Sequence, residues 1–584
     1  MVRNRGRMCI VTLLLSMLFA FFMIFGRSFA LSDSWNLVLE TRESVRKGII
    51  GFGAYTIIFF VSMYILLYFV GWIEIMEEKK HRAFFPYSLR GFLLCWAAVF
   101  VLWLPYLTAF YPGIANSDVA DQLAQVFNFN HGIYQFVDFP IEGSYRNGHH
   151  PYFNTIIHGI WFKVGMLLSS QNLGIFLHGL VQTLFTSAIF AYIIVWMEKW
   201  RISWVFRVIA FIVFVFIPCF PLYAMNQTKN TIYTNWLLIY AILLAHLVFD
   251  TGEFMKKKWM SALFMLSVLL QMLHMKYGIH IVLISIVPVA IMYRKYWKRW
   301  CVLYLVPIFL YSVVFNAVLL PMWKVAPGSE REKYSIPFQQ TARYVKEYGA
   351  EVTPEERAAI DEVLVYDSLA ALYIPQTSDG VKFYGYRSDH TEEEMKAYLK
   401  VWFQMLWKHP GIYVEAAINE CFGFFYPGFW DWTNYYGFSE NVNTYGDGFF
   451  HIYHPQELAG LKAGITEWAE SFRNMPVLKM FYRAGSYTWV LFWTAAILII
   501  LKKGKYLIPL LPLLGTVLVC IVSPYNANTR YLLPVIFGIS FAAGIALKAV
   551  HEDVMQNREE RVKRLMLNEA LKRFNGLDDA RREK

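Results

Sequence analysis

The sequence predicts an all-α integral membrane protein with about twelve transmembrane helices and a small, mainly helical domain outside the membrane. Of its 584 residues, 57% are hydrophobic and only 17% are charged, well below the roughly 25% of a soluble domain. Aromatic residues reach 18%, which suits the rings that gather at membrane interfaces. The net charge of +11 comes mostly from basic residues in short gaps between apolar runs. That pattern indicates topology determinants rather than a surface for nucleic acid.

Twelve apolar runs are long enough to be predicted as membrane spans, since a span needs about 20 apolar residues. The first, Met8 to Gly26, follows three arginines as a signal peptide would, but no small-residue cleavage site follows it. We therefore expect a retained anchor. The second and third spans run from about Ile49 to Trp72 and from about Phe92 to Tyr111. Nine more are expected to begin near Asn172, Trp204, Thr231, Trp259, Ile279, Cys301, Tyr487, Tyr506 and Arg530.

The stretch from Pro151 to Leu168 is a weaker candidate, and loop charge decides its status. If it does not cross, both termini are cytoplasmic and most basic gaps face the cytoplasm, as the positive-inside rule requires. We therefore expect an interfacial or re-entrant helix there. The basic residues that this topology places inside are Lys79, Lys80, Arg82, Lys199, Arg201, Lys256, Lys257, Lys258, Arg294, Lys295, Lys298, Arg299, Lys502, Lys503 and Lys505. Arg27, Arg42, Arg46 and Lys47 fall outside and are an exception.

This topology divides the chain into five parts. They are an N-terminal pair of spans (1–91), a transmembrane core (92–321) with a first outer loop (112–172), an extracytoplasmic domain (322–486), three C-terminal spans (487–550) and a basic cytoplasmic tail (551–584). Thr391 and Glu394 form a capping-box pattern that predicts a helix start in the outer domain, and Pro410-Gly411 interrupts that helix. Six scattered cysteines include no CxxC pair, so the pattern supports neither a zinc site nor thioredoxin-like chemistry.

Two carboxylates in the first outer loop are candidates for chemistry. A Pro-Gly turn at 112–113 ends the third span, and Asn116 or Ser117 is expected to cap a short helix. Asp118 and Asp121, three residues apart, would then lie on one face of that helix. Such a pair suits general-base catalysis or cation binding. Alternatively, both are acids that satisfy free N–H groups at a helix start.

Three basic residues, Lys229, Lys276 and Arg530, are predicted at the outer ends of spans, against the positive-inside bias. Any one of them could simply extend to the interface. Three cations on the same side as the carboxylates instead indicate a phosphate or pyrophosphate site. His149 and His150 are adjacent, so their side chains should point apart. Hydrogen bonding to a polar group in the outer cavity is therefore favoured over a metal site.

At these residues the chain resembles the GT-C superfamily of membrane glycosyltransferases, in particular a bacterial branch related to protein O-mannosyltransferases and to the aminoarabinose transferases that modify lipid A. The resemblance spans about Phe92 to Val550, and the family carries Thr-Lys-Asp where this chain has an amide at the third position. The matching elements are Tyr111-Pro112-Gly113, Ser117-Asp118, Gln122, His150-Pro151, Thr228-Lys229-Asn230 and Arg530-Tyr531-Leu532-Leu533-Pro534.

The resemblance implies an inverting glycosyltransferase that moves a sugar from a polyprenyl-phosphate carrier to a glycan, lipid or protein acceptor at the outer face of the cell membrane. Asp118, with Asp121, would be catalytic, and Asp118 would be the general base. Lys229, Lys276 and Arg530 would bind the donor phosphate. Relatives differ in whether a divalent cation takes part, so the resemblance commits to none. The pocket would be completed by Gln122, His149, His150 and Tyr531, and four aromatics, Trp430, Trp432, Tyr435 and Tyr436, would stack on sugars or anchor the domain to the bilayer.

Three other functions fit parts of the pattern. A transporter or flippase for a lipid-linked saccharide needs many spans but no base, and the sequence contains no inverted repeat that would favour it. A polymerase or ligase of cell-surface polysaccharide shares the substrates but has another fold. A scaffold or sensor would not need acids and cations together on the outer side.

Overall fold

The structure is a computed structural model that describes residues 5–77, 84–430, 435–522 and 525–582. The regular secondary structure of these residues is helical, and the extended pairings among them are isolated bridges rather than strands. Two features predicted from the sequence lie outside the described residues. They are the basic gap with Lys79, Lys80 and Arg82, and the aromatic residue Trp432.

The described residues form the following α-helices, which are numbered in chain order. The first half contains α1 (Arg5–Ser32), α2 (Asn36–Leu39), α3 (Arg42–Glu77), α4 (Leu89–Ala109), α5 (Ser117–Val126), α6 (Tyr152–Leu167), α7 (Gln171–Lys199), α8 (Trp204–Phe216), α9 (Cys219–Met225), α10 (Lys229–Phe249), α11 (Thr251–Lys256), α12 (Lys258–His274), α13 (Gly278–Met292), α14 (Trp297–Phe309) and α15 (Leu320–Met322). The second half contains α16 (Ser335–Tyr348), α17 (Pro354–Asp361), α18 (Tyr366–Leu372), α19 (Glu392–Lys408), α20 (Pro410–Asn419), α21 (Ala459–Ser471), α22 (Ala484–Ile500), α23 (Leu511–Ile521) and α24 (Thr529–Arg582).

Eight helical stretches among the described residues are long and apolar enough to cross a membrane. They are Gly6–Ser32, Arg42–Ile75, Leu89–Ala109, Gln171–Lys199, Lys229–Phe249, Arg294–Met322, Gly504–Ile521 and Thr529–Glu569. The bent pair α8 and α9, broken by 59°, passes the same test when it is taken as one span. The chain is therefore an all-helical membrane protein. The helix α6, where an interfacial segment is expected, is not among the stretches that pass.

Two long helices form the centre of the bundle. In α10 and α24, 78% of the apolar stretch is buried, compared with 22% in α1 and α3. The inner helices therefore present apolar side chains on every face, whereas α1 and α3 expose most of theirs on the outside of the bundle, where lipid would cover them. The helices α6 and α7 approach closely because Gly165 and Gly174 face each other. A Cβ atom on Gly165 would lie 2.4 Å from the backbone nitrogen of Gly174.

The large segments between spans meet at one end of the bundle, here called the site end. The buried pair Arg331–Asp138, with 2.9 Å between Nη2 and Oδ1, ties the first outer loop to the segment after α15. The turn between α1 and α2 reaches the same end, because Trp35 donates its backbone N–H to Glu415 Oε1 at 3.1 Å. The opposite end is closed by pairs such as Lys503–Glu552 and His551–Glu74.

Residues 334–413 have an apolar core of their own at the site end. It is built from fully buried side chains of α16, α17, α18 and α19 that include Phe338, Tyr344, Ile360, Leu369 and Tyr398. The expected capping box is confirmed, since Thr391 and Glu394 exchange side-chain and backbone hydrogen bonds at the start of α19. The expected break is also confirmed, because α19 ends at Lys408 and α20 begins at Pro410.

Candidate functional site

The short helix α5 presents Asp118 to the site end of the bundle. It begins at Ser117, directly after the turn that ends α4, as the Pro-Gly pattern predicts. Asn116 occupies the N-cap position, although its side chain makes no capping hydrogen bond. Asp118 lies in the first turn, and its carboxylate contacts the side-chain cations of Lys229 and Arg530. This placement favours a functional use of its carboxylate over helix capping.

Two predicted cations converge on one oxygen of Asp118. Arg530 Nη1 lies 3.2 Å from Asp118 Oδ2, and Lys229 Nζ lies 3.5 Å from the same atom. Lys229 is the first residue of α10 and Arg530 is the second residue of α24, so the two central helices deliver both cations to α5. The three side chains are between 16% and 18% exposed, so the cluster faces an accessible space.

The charges around Asp118 keep it ionised. Burial alone would raise the pKa of its carboxyl, but the adjacent cations, Arg530 foremost, hold that pKa well below its usual range. A carboxylate in this condition is a strong ion-pair partner and a weak proton acceptor. Any role as a base therefore requires that its contacts with Arg530 and Lys229 first be weakened.

The two histidines lie beside this cluster and differ in role. Lys229 Nζ donates to His150 Nδ1 at 2.7 Å, so His150 is a neutral acceptor that orients the ammonium group. Burial, together with the neighbouring Lys229, lowers the pKa of His150 well below its usual value, in agreement with that neutral form. The ring of His149 lies 4.6 Å from that of His150, at 72° to it. Burial lowers the pKa of His149 to about 4.

Lys276 lies in the turn between α12 and α13 and completes the set of predicted cations. Its side chain is only partly exposed at the site end, and it forms no ion pair within the described part of the chain. The backbone at Gly328 leaves room for it, since a Cβ atom there would lie 2.7 Å from Lys276 Nζ. Burial among surrounding atoms and repulsion by Lys229 lower the pKa of Lys276 to about 8, although Glu332 opposes this shift. Lys276 is therefore the cation most available to an incoming anion.

The other predicted site residues are placed around the cluster. Asp121 is separate from the cations, because its Oδ1 accepts a hydrogen bond from Tyr445 at 2.7 Å and lies 3.7 Å from His131 Nδ1. Gln122 donates to Thr155 Oγ1 at 3.3 Å, which links α5 to α6. The ring of Tyr531 lies 5.6 Å from the Arg530 guanidinium carbon. The two acids of α5, Asp118 and Asp121, thus contact different groups and do not form a carboxylate pair.

A second group of charges borders the site, and the sequence analysis did not identify it. Lys382, which is 1% exposed, pairs with Glu332 at 2.9 Å and with Asp379 at 3.1 Å. Glu420 is also 1% exposed, and burial raises the pKa of its carboxyl to about 8. Lys382 and Asp379 are both electrostatic neighbours of Tyr531. Lys382 has apolar and aromatic neighbours in the sequence (Val381, Phe383, Tyr384), and Glu332 lies in a stretch of mixed charge. Neither sequence context predicts a functional site.

The aromatic residues that were predicted to stack on sugars or to anchor the domain lie in different surroundings. Tyr436 packs against Phe110 at the end of α4, with ring centroids 5.9 Å apart. Trp430 is 49% exposed, and the Arg473 guanidinium carbon lies 5.1 Å from its ring. Tyr435 lies close enough to Arg530 to influence its charge. Stacking on a sugar therefore remains a prediction, while Tyr436 clearly has a packing role.

A cavity of about 460 Å³ opens between α6, α7, α10 and α12. Its wall includes residues close in sequence to the cation cluster, since Gln227 lies two residues before Lys229 and Asn154 lies four residues after His150. Its wall is largely apolar, with Phe153, Trp161, Phe185, Trp236 and Leu270, but it also holds three imidazoles, of His158, His178 and His274. The volume is in the usual range for a small-molecule or lipid site.

No group of three or more histidine, cysteine or acidic side chains in the described ranges has a metal-binding arrangement. Asp118 and His150 are both engaged by Lys229, and the third position of the Thr-Lys motif is an amide, Asn230, whose Nδ2 donates to the Arg530 carbonyl at 3.0 Å. Asn230 thus joins the starts of α10 and α24, and it sets the two cations side by side.

The comparisons with known proteins gave one result. Searches of the curated proteins and of the solved structures found no match. Residues 4–563 match the profile of a family described as a family of unknown function, DUF6020, and this match covers nearly the whole chain. With its helical membrane bundle and the Asp118 cluster at one end, the chain belongs to the DUF6020 family.

Proposed function

We propose that this protein is a multi-pass membrane glycosyltransferase that transfers a sugar from a polyprenyl-phosphate carrier to an acceptor outside the cytoplasm. The observation that carries the proposal is the convergence of Lys229 and Arg530 on Asp118, with Lys276 unpaired in the same space. An acid flanked by cations, beside an apolar cavity, suits a substrate that combines a phosphate, a sugar and a lipid chain.

The proposed reaction is a displacement with inversion at the anomeric carbon. Asp118 takes the proton of the acceptor hydroxyl as its oxygen forms the new bond to that carbon. The bond from the anomeric carbon to the phosphate oxygen breaks, and its electron pair stays on the leaving phosphate. Negative charge thus grows on the phosphate, where Lys229, Lys276 and Arg530 stabilise it. Tyr531, Gln122 and His149 line the surrounding pocket, and His150 orients Lys229.

The cavity between α6, α7, α10 and α12 is the proposed site of the lipid chain. Its largely apolar wall includes residues close in sequence to the cation cluster and is formed by helices of the membrane bundle. An isoprenoid chain bound there would bring its phosphate directly to Lys229. The helix α6, which forms one wall, comprises Tyr152–Leu167 of the segment 151–168, and in this proposal it lies at the membrane interface.

The proposed topology has twelve spans with the site end outside the cytoplasm. To the eight membrane-length helices and the bent pair, it adds the shorter apolar helices α12, α13 and α22. The described basic gaps at 199–201, 256–258, 294–299 and 502–505 then lie at the end opposite the site. The positive-inside rule assigns that opposite end to the cytoplasm. Residues 322–486 would accordingly form an extracytoplasmic domain at the cell surface.

A flippase or a scaffold explains these features less well. A flippase would need cations for the carrier phosphate but no carboxylate held between them. A scaffold would gain nothing from a partly exposed Lys276 within a group of like charges, which costs stability. A polysaccharide polymerase would use the same kinds of residue, and it differs from the proposed enzyme in whether a single sugar or a chain is transferred.

The experiment that tests the proposal compares Asp118→Asn with Glu253→Gln in cells of the source organism. Glu253 lies at the end opposite the site, paired with Lys257, and it serves as the matched control. Surface glycans are analysed by mass spectrometry at equal protein level in the membrane. We expect loss of a single-sugar modification in Asp118→Asn alone. An unchanged glycan profile in that variant contradicts the proposed function.

A further inference from the structure

Asp118 occupies the position that the donor phosphate needs. Its Oδ2 is the shared partner of Arg530 Nη1 at 3.2 Å and Lys229 Nζ at 3.5 Å. We propose that Asp118 is the resting counter-ion of these two cations, and that the donor phosphate displaces it, so that the carboxylate becomes a base only after the donor has bound. This inference rests on the proposed function and adds an order of events to it.

The charge balance favours such an exchange. In the described cluster, one carboxylate faces two cations, and Lys276 beside them has no ion-pair partner. A donor phosphodiester brings one negative charge and two free oxygens. It can therefore contact Lys276 first and then replace Asp118 at Lys229 and Arg530. As the sugar leaves, the phosphate gains a second charge, and its hold on the cations becomes stronger.

The Lys229 ammonium and the backbone at Arg530 are held in place independently of Asp118. Lys229 Nζ donates to His150 Nδ1 at 2.7 Å, so the ammonium keeps a partner when the carboxylate departs. The chain at Arg530 is fixed by two further contacts, from Asn230 Nδ2 to its carbonyl and from its own N–H to Asn528 Oδ1, at 3.0 and 3.2 Å. The ammonium of Lys229 and the backbone that carries the Arg530 side chain are thus in position to accept either anion.

Asp118 can leave that site with a change of side-chain rotamer. It lies in the first turn of α5, which is anchored elsewhere by Asp121 to Tyr445 and by Gln122 to Thr155. Its side chain is 18% exposed, so the accessible space lies beside it. Once free of the two cations, the carboxylate recovers the basicity that they suppress, and it does so in the presence of the bound donor.

A different use of Asp118 makes the opposite prediction. If Asp118 instead bound a cation that bridges to the donor phosphate, removing its charge would weaken donor binding. If Asp118 competes with the phosphate, removing its charge strengthens binding. The affinity of an Asp118 variant for a lipid phosphate therefore distinguishes cation binding by Asp118 from competition between Asp118 and the phosphate.

The test uses the full-length protein in nanodiscs, with farnesyl phosphate as the probe and tryptophan fluorescence as the measurement. Asp118→Asn and Asp118→Ser are compared with Glu253→Gln, whose carboxylate pairs with Lys257 at the opposite end of the bundle and not with the cations. We expect both Asp118 variants to bind the probe about five- to tenfold more tightly, because removing a competing ion pair of roughly 1 kcal/mol changes affinity by that amount. Glu253→Gln should bind as the unaltered protein does.

Two further variants show whether a negative result contradicts only the exchange of Asp118 for phosphate or also the proposed phosphate site. Lys229→Ala and Arg530→Ala should each weaken probe binding, and if they do not, the phosphate site itself is wrong. If they do, and the Asp118 variants lose sugar transfer but bind the probe no more tightly than the unaltered protein, the exchange is wrong and the glycosyltransferase proposal stands. The melting temperature of each variant in nanodiscs is compared with that of the unaltered protein, to establish that each variant is folded when binding is measured.

Discussion

Asp118 is subject to two opposing electrostatic influences. Burial disfavours its charged form, whereas Arg530 and Lys229, at 3.2 and 3.5 Å from Oδ2, favour it, and the cations prevail. The same contacts that keep the carboxylate ionised reduce its strength as a base. A residue of this kind acts in catalysis only if the substrate changes its surroundings, and a phosphate that binds the same cations does so.

Lys276 gives the site a dependence on pH that can be measured. Its pKa is lowered to about 8 by burial and by repulsion from Lys229, so the charged form present at pH 7 is lost as the pH rises through 8. We predict that the KM for the lipid-phosphate donor rises about tenfold between pH 7 and pH 9, which corresponds to one charge-assisted hydrogen bond. Initial rates at several donor concentrations provide the measurement.

The matched variant for this prediction is Lys276→Arg, because a guanidinium remains charged throughout this range. Its KM should stay nearly constant from pH 7 to pH 9, since the cation is retained. An equal rise of KM in the variant and in the unaltered protein would show that another group controls the pH dependence.

Between elements, the contact that most affects the site is the buried ion pair of Asp138 and Arg331. The two side chains are 3% and 5% exposed, and Ser329 Oγ and the Glu330 N–H also donate to the Asp138 carboxylate. These bonds attach the first outer loop, which carries His149 and His150, to the segment that carries Glu332. The position of the histidines against Lys229 therefore depends on a contact that is distant from any reacting atom.

Breaking this pair should lower stability substantially. Asp138→Asn leaves the Arg331 guanidinium buried without its counter-ion, for which we predict a loss of about 3–5 kcal/mol in the free energy of unfolding. The control is Glu330→Gln, which removes the exposed pair with Lys333 and should cost at most about 1 kcal/mol. Reversible denaturation in mixed detergent micelles measures both. Equal losses in the two variants would contradict the structural role of the buried pair.

Local patterns in the sequence predicted where helices begin better than they predicted which residues meet at the site end. The Pro-Gly turn predicted the start of α5, and the Thr391 capping box predicted that of α19, because both signals act within a few residues. Lys382 was missed because its partner Glu332 is 50 residues away and its neighbours are apolar or aromatic. Asp118 and Arg530 were each identified, but 412 residues separate them, and only the packing of α5 against the helix starts brings them into contact.

At the scale of the whole molecule, the bundle collects its polar groups at one end. The starts of α10 and α24, the turn after α12 and the helix α5 all meet there, while the other end carries most of the basic gaps between helices. A cavity lies between the bundle helices α6, α7, α10 and α12. One molecule thus has a charged cluster and a largely apolar cavity that share α10 as a common element, an arrangement that would suit a lipid-linked phosphate.

The most direct test of this account is a cryo-electron microscopy structure of the protein in nanodiscs with a polyprenyl phosphate bound. We predict that the phosphate oxygens lie within hydrogen-bond distance of Lys229 and Arg530, with the isoprenoid chain in the cavity that Trp161 and Trp236 line. A bound phosphate at another place, with the contacts of Lys229 and Arg530 to Asp118 unchanged, would contradict it.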